Sequence, residues 1–110
     1  MTVKELSNVL YAKFLAGGDD ADRKVTGCYT GDLLSWVMGR AKSGDAWLTV
    51  MGNINAIAVA SLTDAACIVL TDGAALDENA RAKADQEHIA VLSVEQNSYE
   101  TAVKIWEILR

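Results

Sequence analysis

Three short runs, residues 46–51, 65–70 and 89–94, are apolar at nearly every position, and segments with helical spacing lie between them. A strand turns successive side chains to opposite faces, so a run that is apolar throughout must be covered on both. Helices give that cover when they connect parallel strands. The class that follows is α/β, a largely parallel sheet of about five strands with helices on both faces.

Local signals place the remaining elements. Thr2 and Glu5 match the capping box, and Val3, Leu6, Val9 and Leu10 recur on one helical face. Residues 12–16 read as a brief strand closed by Gly17-Gly18-Asp19-Asp20, where both glycines are free to take positive φ. A second strand is predicted over residues 24–30. Asp32 is placed as the cap of the next helix, whose Leu33, Leu34, Trp36, Val37 and Met38 are apolar nearly all round. Asn53 or Asn55 starts a third helix. Residues 77–87 form a solvated helix with opposite charges four apart (Asp77 and Arg81, Arg81 and Asp85, Lys83 and Glu87) over a slim stripe of Ala80 and Ala84. Residues 98–110 end the chain as a helix with a wide apolar stripe. The whole of 1–110 is read as a single domain in the order α β β α β α β α β α.

Ten basic against 15 acidic side chains leave a net charge of −5, which argues against a nucleic-acid partner. The longest uncharged stretch, 46–63, is interrupted by Gly52, Asn53, Asn55 and Ser61, so no membrane span is expected. Cys28 and Cys67 sit inside apolar runs and are read as reduced thiols of a cytoplasmic protein. Lys4 and Glu5, at helical spacing near the start, are inconsistent with a secretory leader.

The run Asp22-Arg23-Lys24-Val25-Thr26-Gly27-Cys28-Tyr29-Thr30-Gly31-Asp32-Leu33-Leu34-Ser35-Trp36-Val37-Met38-Gly39 resembles the signature of the DRTGG domain family. The order of elements after it is similar over essentially the whole chain. Cys28 stands where the family name implies a second Gly. The resemblance implies a fold similar to the N-terminal domain of HPr kinase/phosphorylase, which is not that enzyme's catalytic domain. It also implies a regulatory or dimer-forming role, as in CBS-domain pyrophosphatases and some phosphate acetyltransferases. Kinase activity is not implied, because the chain has no Gly-x-x-x-x-Gly-Lys-Ser/Thr loop.

Candidate sites are few. His88, the only histidine, falls at a helix end, where a cation faces free carbonyls. Cys28, Cys67 and His88 lack the close spacing of a zinc site, so no metal and no cofactor is expected. Arg23 reads either as an anion-facing side chain or as a clamp on loop carbonyls and on Asp19, Asp20 or Asp22. Gly27, after Thr26, marks a bulge or a close approach by a ligand or another chain. In open parallel sheets ligands collect beyond the carboxyl ends of the strands, which here brings in Asp32, Asn53, Asn55, Thr71 and Asp72. The same residue types are what caps and turns require.

The apolar content exceeds what one small sheet covers, with Trp36, Val37 and Met38 on one helix and Ile105 and Trp106 on the last. Aromatic and Met enrichment marks buried protein interfaces. The leading expectation is a non-catalytic regulatory module that forms a homodimer through these residues and senses a small ligand. The alternatives are a binder of nucleotides or phospho-metabolites at the rim, a protein–protein adaptor, and a small enzyme using Asp72 or Asp32 as general base.

Overall fold

The computed structural model describes residues 1–110. Its centre is three strands, β3 (Asp45–Thr49), β4 (Cys67–Leu70) and β5 (Ala90–Ser93), in which every side chain but that of Ser93 is buried. β2 (Gly27–Thr30) lies parallel to β3 on one flank, and β1 (Lys13–Ala16) lies antiparallel to β5 on the other. The five-stranded order is β1-β5-β4-β3-β2.

β2 to β5 stand side by side in chain order, so the crossovers through α2 (Leu34–Arg40), α3 (Ile54–Thr63) and α4 (Glu78–Gln86) all turn the same way. Right-handed connection then puts these three helices on one face. Trp47, Ile68, Leu70 and Val91 point into that layer with Val37, Ile57, Ala80 and Ala84. The alternate strand residues Ala46, Leu48, Cys67, Val69, Ala90 and Leu92 point to the other face. There they meet Val3, Leu6 and Leu10 of α1 (Val3–Leu10) and Ile105 of α5 (Ser98–Leu109). The mostly parallel α/β sheet with helices on both faces is thus observed, divided three helices to two.

Several local expectations change. β2 begins at Gly27 rather than residue 24, because Lys24 bridges Thr2 and Val25 N–H donates to the Met1 carbonyl at 2.8 Å. Asp32 does not cap α2: Leu33 holds that position with no side-chain bond. Of the two glycines at 17–18 only Gly17 has positive φ, and Gly18 opens a single 3-10 turn, Gly18–Asp20. In α4 only Lys83–Glu87 forms an ion pair; Arg81 instead donates to the Leu15 carbonyl, and Asp85 accepts from Gly17 N–H at 2.8 Å. Those two side chains tie α4 to the β1 margin. No helix is long and apolar enough to cross a membrane.

Candidate functional site

The polar candidates fall at two opposite ends of the sheet. At the carboxyl ends of the strands, Asp32 Oδ1 accepts from Thr49 Oγ1 at 2.7 Å and Val50 N–H at 3.0 Å, lacing the end of β2 to that of β3. Asn53 caps α3 by accepting from Ala56 N–H, and Asn55, the second residue of that helix, stands exposed. Thr71 is fully buried with its hydroxyl 3.1 Å from that of Ser98. Asp72 takes a left-handed conformation (φ 57°) and donates its N–H to the Gln96 carbonyl, while Gly73 N–H donates to that of Val94. The loops after β4 and β5, where helix layers diverge and a ligand crevice is expected, therefore close on each other. None of the three surface hollows is lined by these rim residues.

Arg23, Thr26 and Gly27 lie at the other end. Arg23 reaches Asp64, at the C-terminus of α3, with contacts of 3.1 Å to the carboxylate and 2.9 Å to the backbone carbonyl. Its partner is thus Asp64 rather than Asp19, Asp20 or Asp22. The Ser43 hydroxyl and the Arg23 guanidinium hold the Asp64 carboxyl below the usual carboxylate range. Gly27 has a steric reason: a Cβ there would stand 2.5 Å from Asp45 Oδ1, on a carboxylate whose other oxygen accepts from Lys42 N–H. Nearby Gly44 (φ 86°) packs against the Thr26 hydroxyl, leaving no room for a side chain.

Below Arg23 is a shallow hollow of Asp19, Asp20, Asp22, Ala66 and His88. His88 Nδ1 stands 3.9 Å from Asp20, and its side chain is largely exposed at a left-handed turn (φ 59°). No three His, Cys, Asp or Glu side chains are grouped to hold a metal ion.

The two other hollows both border β2. β2 pairs only with β3, so its far side is an open edge. On the α5 face a groove of about 660 Å³ runs along the strand, walled by residues 26–30 and by Ala102, Ile105, Trp106, Leu109 and Arg110. On the α2 face a polar hollow is formed by the same strand with Arg40, Lys42, Ser43 and Asp45. Trp106 is 68 % exposed above the first; Trp36, 55 % exposed, stacks under the Arg40 guanidinium (4.0 Å) beside the second. Met38 is also exposed. Val37 and Ile105, predicted with them as interface residues, are instead fully buried core: one residue of helix is a 100° turn, enough to carry each inward.

Cys67 is fully buried, and Cys28 is half-buried beside the two hollows. Burial, with the Asp45 charge, pushes Cys28 up to about 11, and burial pushes Cys67 up to about 12. Both shifts favour the neutral thiol over the thiolate.

A family model, the DRTGG domain, matches residues 5–108. The chain belongs to the DRTGG domain family. No curated protein matches this DRTGG domain in sequence. Among solved structures it is similar to the CBS and DRTGG domains of the regulatory region of Clostridium perfringens pyrophosphatase, complexed with the activator diadenosine tetraphosphate. The identity is 11 %, the TM-score 0.71, and the alignment covers 94 % of this chain and 45 % of that one. The likeness is one of fold, and this DRTGG domain spans less than half of that regulatory region.

Within this DRTGG domain the signature stretch divides its work. Asp22 and Arg23 lie where Arg23 locks the end of α3, and Thr26 and Gly27 lead into the open strand. Sequence reasoning missed the open edge and the groove walls Ala102 and Leu109, because strand order is not written in local patterns.

Proposed function

We propose that residues 1–110 form one non-catalytic, cytoplasmic regulatory module of the DRTGG type, which self-associates as a homodimer and takes a small ligand in the groove between β2 and α5. The observation that carries this reading is the concentration of unpartnered apolar surface around one strand edge, with Trp106 68 % exposed beside a groove of about 660 Å³. Exposed tryptophans next to apolar concavities are typical of recognition surfaces. The polar rim supports a ligand less well, since Asp32, Asn53 and Thr71 already bond within the fold. Kinship with a regulatory region that binds a dinucleotide activator makes nucleotides the first ligand class to test.

Sedimentation at micromolar concentration tests self-association: a dimer supports the reading, and a monomer throughout overturns that half of it. Thermal-shift measurements with mono- and dinucleotides test the ligand. At a hundred times its dissociation constant a ligand adds about 2.7 kcal/mol, several degrees in a domain this small. No shift with any nucleotide removes that class.

A further inference from the structure

The open edge has a definite hydrogen-bonding phase. In β3, the carbonyls of Asp45 and Thr49 accept from Ala66 and Thr71 on the β4 side, whereas that of Leu48 accepts from Gly31 on the β2 side. Gly31 N–H therefore points inward, and strand alternation turns the Tyr29 backbone inward with it. The N–H and C=O groups of Cys28 and Thr30 are left facing outward, with no strand beyond them. Thr26, just before the strand, donates to Gly44 one residue out of that phase.

We propose that the partner at this edge is a second copy of the chain, paired antiparallel β2 to β2 about a two-fold axis at Tyr29, so that two five-stranded sheets become one of ten. This deepens the homodimer reading above and rests on it. A two-fold axis normal to a sheet makes joined edge strands antiparallel. Centring it on Tyr29 places Cys28 opposite the partner's Thr30, and Thr30 opposite the partner's Cys28. All four outward N–H groups then meet outward carbonyls. Axes centred on Cys28 or on Thr30 leave part of that set unpaired.

Charge supports the same alignment. Arg40, Lys42 and the buried Asp45 border the start of β2 and leave it one charge net positive, while Asp32, with its Oδ1 held by Thr49 and Val50, stands exposed at the strand's end. Antiparallel pairing sets the basic end of each copy against the partner's Asp32, across the strand from Thr26. A parallel arrangement would set like against like. Because the axis is normal to the sheet, both α5 helices lie on one side. The two open grooves then meet, with Trp106 and the partner's Trp106 flanking a shared apolar channel.

Cross-linking reads the register. In an antiparallel pair the non-hydrogen-bonded positions have Cα atoms about 4.5 Å apart, within disulfide range, while diagonal neighbours lie beyond about 7 Å. A full-length chain carrying Cys28→Ser and Tyr29→Cys is expected to give mostly covalent dimer under mild oxidation. The unaltered chain, whose Cys28 is diagonal to the partner's Cys28, is expected to stay largely uncross-linked. Rapid linking through Cys28, or none at Tyr29→Cys in a folded dimeric variant, overturns the register while leaving the homodimer intact. Thr30→Pro, tested by sedimentation, covers the case in which Tyr29→Cys fails to fold. It removes an outward N–H that β3 does not use. The expected result is at least a tenfold weaker dimer with melting of the monomer nearly unchanged; unaltered dimerisation contradicts the pairing. A parent chain that is monomeric throughout defeats both this geometry and the reading it rests on.

Discussion

Replacing Trp106 with Ala separates the surface's contribution to association from its contribution to folding. Trp106 is 68 % exposed. An indole side chain presents up to about 250 Å², so about 170 Å² of it awaits cover and about 80 Å² is already hidden. At ~25 cal/mol per Å² the hidden part contributes at most about 2 kcal/mol to the fold. If dimerisation covers half of the exposed part, each copy gains about 2 kcal/mol, and a two-fold interface counts it twice. The expected loss is about 4 kcal/mol per dimer, roughly a thousandfold in dissociation constant. Sedimentation equilibrium over a wide concentration range reads the dimer constant. Urea unfolding of dilute, monomeric protein reads the fold, where Trp106→Ala is expected to lose no more than about 2 kcal/mol. A dimer constant within threefold of the parent, or monomer stability lowered by much more than that, refutes the reasoning.

Other substitutions test the supports of the edge. Gly27→Ala forces a Cβ to within 2.5 Å of Asp45 Oδ1, and urea denaturation is expected to register a loss of about 1–3 kcal/mol. The Cys28 and Cys67 thiols titrate near 11 and 12 in the fold, against an ordinary value of 9.0. Their contribution is therefore complete below pH 9 and is lost as pH rises through the folded values, by at most about 1.4 kcal/mol per pH unit for each thiol; the Cys28→Ala/Cys67→Ala variant should show a flatter alkaline slope in stability. The Asp64 carboxyl is held low by Ser43 and Arg23, so its contribution is present above the carboxylate range and is lost as pH falls through its folded value. Arg23→Ala is expected to cost about 0.5–1 kcal/mol at pH 7 and to flatten the acid limb of the stability curve.

The parallel centre was legible because its strands are apolar on both faces, and a run such as Cys67-Ile68-Val69-Leu70 has few other ways to be buried. The cap at Thr2 was legible, and that at Asn53 was legible as one of two candidates with Asn55, because each motif is local: a short side chain and an amide three residues on. Asp32 failed as a cap for a non-local reason. Its carboxylate is captured by Thr49 and Val50, which only strand pairing brings near. Arg23 was legible as a clamp but not its target, since Asp64 lies 41 residues away. Helical period carried Val37 and Ile105 inward while leaving Trp36 and Trp106 outside. The rim candidates were correctly located at the strand ends, yet their hydrogen bonds turn inward to the fold. The open edge belongs to the sheet as a whole, and no segment of sequence announces which strand will be outermost.

Residue-resolved amide hydrogen exchange at Cys28 and Thr30, followed across protein concentration, tests the edge pairing most directly. The account predicts that both amides exchange freely in dilute solution and become strongly protected together as the concentration rises, while Tyr29, bonded within the sheet, is protected throughout. Exchange at Cys28 and Thr30 that stays fast in a concentrated, dimeric sample would contradict it.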